Sequence, residues 1–111
     1  MTGSQICLGL LVMLAALAAQ AAGGSIGKVT YAGIYGNGGL FVALSTSINE
    51  PGCPNTRFDV PAGHPQIKSW LAIALAAAAS GKTVAVHTNG CYGEYPTMTQ
   101  AGDSWFYLQP D

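Results

Sequence analysis

Residues 1–27 constrain this chain more than any other stretch, because they contain no Lys, Arg, Asp or Glu. From Ile6 to Leu17 nearly every residue is apolar, and Ala19-Gln20-Ala21 follows as a small-x-small site. An apolar run closed by a small-residue site is the pattern of a secretory leader. It predicts cleavage after Ala21, so that residues 1–21 take no part in the fold. Residues 22–111 are then a single β-rich domain, secreted or periplasmic. A membrane anchor is the competing reading. A spanning helix needs about 20 apolar residues, and this run reaches that length only by counting alanines on either side of Gln20. No stop-transfer cluster follows, since the first charge is Lys28. Contact with a membrane is therefore expected only through the cleaved leader. Cys7 stands at the head of the apolar run, whereas a lipid-attachment cysteine follows it.

Export changes what the remaining cysteines mean. Removing the leader leaves Cys53 and Cys91, and an even pair in an oxidising compartment predicts a disulfide. Loop-closure arguments put such a bridge at roughly 3–5 kcal/mol, a major share of a total stability of about 5–15 kcal/mol. Two other uses of these residues compete. A nucleophilic Cys91 with His87 or His64 as base lacks an orienting acid in any recognisable relation to the pair. A metal site from His87, Cys91 and Cys53 lacks a fourth ligand at suitable spacing. No cofactor is implied.

The charge balance narrows the partners. All four basic and all five acidic residues follow the leader, and the net charge is −1. Nucleic acid demands Lys and Arg on phosphates, so it is excluded as a partner. Charged residues make up 8% of the chain, against the usual quarter. So much uncharged surface suits a protein partly covered by another subunit.

Ala22 to Gly27 is a glycine-rich, flexible lead-in. Lys28 to Tyr35 alternates as a strand, with Val29, Tyr31 and Gly33 on one side. Gly36-Asn37-Gly38-Gly39 is a turn, and Leu40 to Ile48 returns as a second strand with Leu40, Val42 and Leu44 inward. The glycine cluster lacks the helix and Lys of a phosphate cradle. After a loop around Cys53, Thr56 to Val60 is a third strand with Phe58 and Val60 inward.

One helix follows, from Pro65 in its first turn to Gly81 just past its end. Ile67, Trp70, Leu71, Ala74, Leu75 and Ala78 form the expected buried stripe, with Trp70 and Leu71 in the core and Gln66 in solvent. The opposite face carries Ala72, Ile73, Ala76, Ala77 and Ala79 where a solvated helix would show Lys and Glu. Alanine's helix propensity accounts for that face; so does an oligomer interface built on Ile73, Ala76 and Ala77. Thr83 to Thr88 is a strand with Val84 and Val86 inward. Tyr95 to Gln100 and Ser104 to Leu108 are one or two closing strands. The order β-β-β-α-β-β, with an optional sixth strand, predicts an α+β domain: a small antiparallel sheet or a partly open barrel carrying one amphipathic helix.

The element order, Pro61 before the helix, the run Ala79-Ser80-Gly81-Lys82-Thr83-Val84 and the following Cys91 resemble a class of small secreted bacterial proteins. That class is similar in layout to the B subunit of subtilase cytotoxin. The resemblance spans about Lys28 to Leu108 and implies an OB-like fold, pentameric assembly and glycan binding. None of that toxin's sugar-contacting residues maps onto a position here.

Three kinds of function follow. A secreted, non-catalytic binding module for glycan is favoured, with Tyr35, Asn37, Tyr92 and Tyr95 as ligand residues, because turn tyrosines can stack on sugars. The alternative is an accessory or inhibitor protein that binds another secreted protein. An enzyme is disfavoured: His64 and His87 are the only histidines, and no Ser-His-Asp grouping or close acid pair stands out. His64 is expected to mark the helix start, and His87 to lie on the outer face of its strand.

Overall fold

A computed structural model describes residues 23–110 of the chain. The expected leader, residues 1–21, lies outside them. The fold is α+β: one helix, a five-stranded antiparallel sheet and a separate two-stranded hairpin. In chain order the elements are β1 (Gly23–Ile34), β2 (Leu40–Ile48), β3 (Asn55–Val60), α1 (Ile67–Ser80), β4 (Thr83–Thr88), β5 (Cys91–Tyr92), β6 (Tyr95–Pro96) and β7 (Trp105–Leu108). The sheet order is β3-β2-β1-β4-β7, and β3 and β7 do not pair, so the sheet does not close into a barrel.

The glycine-rich lead-in is strand rather than flexible segment. Gly23 to Lys28 pairs residue for residue with Thr88 to Thr83, and Val29 to Ile34 pairs with β2. Gly23 is there for close approach: a Cβ on it would lie 2.6 Å from the Glu50 backbone. The Glu50 carboxylate, 2% exposed, accepts the Gly23 N–H (3.2 Å) and the Thr88 hydroxyl (2.6 Å) on one oxygen. This buried acid ties β1 to β4.

A bulge between Val29 and Tyr31 changes the expected alternation of β1. Val29 is buried, Tyr31 turns to the outer face, and Ala32 takes the next place against the core. One extra residue reverses which face every later side chain occupies. β2 and β3 follow expectation: Leu40, Val42, Leu44, Phe58 and Val60 all point inward and are buried. The 35–39 connection is a tight turn, with the Gly38 N–H donating to the Tyr35 carbonyl (2.9 Å) and Gly38 at φ 94°.

The helix ends where expected but starts at Ile67, with Gln66 as its N-cap, so Pro65 lies in the turn before it rather than in its first turn. Gly81 adopts the left-handed conformation (φ 72°) and its N–H donates to the Ala77 carbonyl at 2.9 Å. Lys28 Nζ donates to the Gly81 carbonyl (2.8 Å), placing a cation at the negative end of the helix. The buried stripe, however, is Trp70, Ala74 and Ala77, flanked by half-buried Ile67, Leu71 and Ile73. Leu75 is 52% exposed and Ala78 is on the surface. Leu71 is therefore a flank of the core rather than its centre. The grouping of Ile73, Ala76 and Ala77 as an outer face is likewise corrected: Ala77 is buried, Ile73 packs against the core, and Ala76 alone is exposed. Small side chains at 74 and 77 let the helix approach the sheet, and the curl of the sheet determines which part of the broad apolar arc is covered.

The closing region contains less strand than expected. Only Tyr95 and Pro96 pair, with Tyr92 and Cys91, and residues 97–103 are irregular before Trp105 to Leu108 joins β4. Backbone bonds Asn89 N–H to the Thr97 carbonyl and Thr97 N–H to the Gly90 carbonyl, both 3.0 Å, hold the start of this stretch. Thr99 and Asn89 donate to the Asp103 carboxylate, which keeps its pKa below the ordinary value. Among the described residues no helix is long and apolar enough to cross a membrane.

Candidate functional site

The turn after β1, the outer end of β3 and the β5–β6 hairpin converge on one cavity of about 380 Å³, lined by Tyr35, Asn37, Asp59, Tyr92, Gly93, Glu94 and Tyr95. All four residues singled out as ligand contacts, Tyr35, Asn37, Tyr92 and Tyr95, lie on its wall. Asp59, Gly93 and Glu94 were not anticipated.

The floor is built by strand register. Phe41 on β2 stands opposite Asp59 on β3 and opposite Gly33 on β1. Gly33 leaves space for the Phe41 ring, since a Cβ there would lie 2.6 Å from it. Tyr31 and Tyr35 flank that ring, with centroids at 6.2 and 4.8 Å. Arg57, two residues before Asp59 and so on the same face, spans this aromatic surface. Its guanidinium lies 3.9 Å from the Tyr95 ring centroid and 5.7 Å from that of Phe41.

Tyr35, Asp59 and Arg57 form a closed polar network. Arg57 Nε donates to Asp59 Oδ1 (2.8 Å), and Nη2 donates to Asp59 Oδ2 (3.3 Å) and to Tyr35 Oη (2.9 Å). The Tyr35 hydroxyl in turn donates to Asp59 Oδ2 (2.5 Å). That bond, reinforced by burial and by the Asp59 charge, pushes the Tyr35 pKa up to about 12. Burial pulls the Arg57 pKa down, but its bonds to Asp59 and Tyr31 leave it above the ordinary value. Asp59 is 4% exposed, so its charge is balanced within the protein. The network fixes two aromatic rings and one carboxylate in place on the cavity wall.

The opposite wall is the β5–β6 hairpin, with Gly93 (φ 62°) and Glu94 at its turn. Its base is covalently held. Cys53 and Cys91 are bonded across 38 positions of chain, S–S 2.09 Å and Cα–Cα 6.0 Å. The predicted disulfide therefore anchors the site. Bonded, Cys91 is no thiolate nucleophile, and among the described residues no group of three or more His, Cys, Asp or Glu is placed to hold a metal.

Both histidines are hydrogen-bonded to backbone groups. His64 Nδ1 accepts the Gln66 N–H (3.1 Å), which leaves Nε2–H to donate to the Thr99 carbonyl (2.8 Å). It thus marks the helix start, as expected, and also ties it to the 97–103 segment. His87 Nδ1–H donates to the Asp103 carbonyl (2.9 Å), and the ring stacks on Trp105 at 4.1 Å on the outer face. A second cavity of about 280 Å³ lies beside His64, Trp70 and Trp105, away from the predicted ligand residues.

Sequence reasoning missed the pair Arg57 and Asp59. The signal was present: two opposite charges at i and i+2 on a strand, in a chain with so few charges, mark one built polar face. Compared with protein-family models, curated proteins and solved structures, the chain matches none.

Proposed function

We propose that this protein is an exported, non-catalytic binding module for saccharides, and that the Tyr35–Tyr92–Tyr95 cavity is its site. The observation that carries this reading is the convergence, on one pre-organised cavity, of three tyrosines with Asn37, Asp59 and Glu94. Sugar rings offer apolar C–H faces and a rim of hydroxyls. Tyrosine presents a flat ring with a polar tip, while amide and carboxylate oxygens accept from hydroxyls. A cavity of this size accommodates a residue or two of a small ligand. Two carboxylates on one cavity also raise glycoside hydrolysis, which needs a free acid and a free base. Asp59 is committed to Arg57 and Tyr35, which supports binding over bond cleavage. Export is supported by the disulfide and by the leader-like residues 1–21. The resemblance in layout to the subtilase cytotoxin B subunit points to the same kind of ligand.

Screening the oxidised protein on an array of neutral, basic and acidic glycans tests the proposal. Binding is expected and should fall about two- to ten-fold in Tyr92→Ala, since aromatic contacts of this kind are worth about 0.5–1.5 kcal/mol. A folded protein that binds no glycan on the array would exclude this reading and leave a secreted protein as the partner.

A further inference from the structure

The proposed saccharide site, on which this inference rests, has a charge pattern that restricts its ligand. Asp59 and Glu94 are acidic groups on its wall, and Arg57 is the cation beside it. Arg57 is already engaged: two of its nitrogens hold Asp59 and Tyr35, and its plane covers Tyr95. No lining residue offers a cation to an anionic ligand. Glu94, at the exposed hairpin turn, makes no hydrogen bond or ion pair with any described residue. Beside it in the turn stands Tyr92, with 49% of its surface exposed. The free charge of the cavity is therefore negative and sits next to an aromatic ring.

We infer that the cavity selects saccharides carrying a protonated amine over N-acetylated and acidic ones. An ammonium is attracted both to the negative face of a tyrosine ring and to a carboxylate, by about two- to five-fold in affinity for each exposed contact. A uronic or sialic carboxylate placed in the same cavity meets the Glu94 charge, and Arg57, already paired with Asp59, is not free to offset it. An acetamido sugar has the same ring and stacks equally well, but carries no charge for Glu94.

The test is calorimetric titration of the oxidised protein, below the pKa of the amine, with four probes: glucosamine tetramer, N-acetylglucosamine tetramer, galacturonic acid tetramer and choline. The glucosamine tetramer should bind at least about five-fold tighter than its acetylated counterpart, and the acidic tetramer weakest. Glu94→Gln, on an exposed turn, should lower the ratio of the first two by about two- to five-fold, the glucosamine tetramer losing more affinity than its acetylated counterpart. Asp103→Asn, outside the cavity, should leave the ratio intact; if it lowers the ratio as much, the preference is general charge attraction and the inference fails. Equal binding of both hexosamine tetramers, or tighter binding of the acidic one, overturns the charge selection while saccharide binding stands. Choline bound as tightly as the glucosamine tetramer overturns the amino-sugar identity. If no tetramer binds the folded protein, the saccharide reading falls and takes this inference with it.

Discussion

Phe58 on β3 and Phe106 on β7 meet edge to face, with ring centroids 5.3 Å apart, although their strands are the two opposite edges of the sheet. The sheet therefore curls until its edges touch through side chains without pairing through backbone. The helix covers the resulting trough with Trp70, Ala74 and Ala77. Both rings are buried, so Phe106→Ala should cost about 3–5 kcal/mol in chemical denaturation. A double-mutant cycle with Phe58→Ala should show coupling of about 0.5–1.5 kcal/mol. Additive losses would mean that the rings do not meet in solution.

The helix phase has its own test. Trp70→Ala should cost about 3–5 kcal/mol, and Leu75→Ala should stay within about 0.5 kcal/mol of the parent. Leu71→Ala should fall between them, because Leu71 is only half-buried. Thermal melts in which Leu75→Ala matches Trp70→Ala would place the stripe on the other side of the helix.

Tyr35 supplies a pH signature. Its pKa of about 12 in the folded protein exceeds the ordinary value of 10.0, so folding favours the protonated phenol. The stability it contributes is complete below pH 10 and is lost as pH rises from about 10 through about 12. Solvent screening keeps that contribution small, so the direct readout is absorbance titration of the five tyrosines. One phenol should ionise about two units late, and Tyr35→Phe should remove that component. A Tyr35→Phe variant that keeps the late component and loses an ordinary one instead would disprove the Asp59 bond.

The disulfide holds the hairpin that carries Tyr92, Glu94 and Tyr95. Replacing Cys53 and Cys91 together with Ser should lower stability by about 2–4 kcal/mol. In protein that remains folded, saccharide affinity should fall as well, since the wall of the cavity is freed at its base. Undiminished binding by the folded double variant would show that the hairpin is held by Arg57 and the Gly90–Thr97 backbone bonds alone.

Gly23 should tolerate no side chain. Gly23→Ala drives a methyl into the Glu50 backbone and disturbs the carboxylate that joins β1 to β4. A loss of about 1–3 kcal/mol is expected from overpacking, whereas Gly36→Ala, which meets nothing within 4 Å, should be mild. Equal effects in denaturant melts would count against the packed position of residue 23.

Local chemistry determined much of this protein. Glycine at 81 ended the helix, and proline at 65 placed its start to within two residues, because capping is settled within a turn of chain. Alternation placed β2 and β3, and the turn residues Tyr35, Asn37, Tyr92 and Tyr95 could be singled out because a turn tyrosine has few other uses. Tertiary structure decided the rest. A helix with apolar residues around most of its circumference carries no unique phase, so the curl of the sheet chose Ala77 over Ala78. Glycines at 23 and 24 suit a flexible segment or a crowded strand equally well, and the approach of Glu50 made them strand. Arg57 and Asp59 became a site only when pairing put Asp59 opposite Phe41 and the disulfide brought Tyr95 over the guanidinium. Those contacts join positions far apart in the chain, and a one-residue change of register would have sent each side chain to the other face.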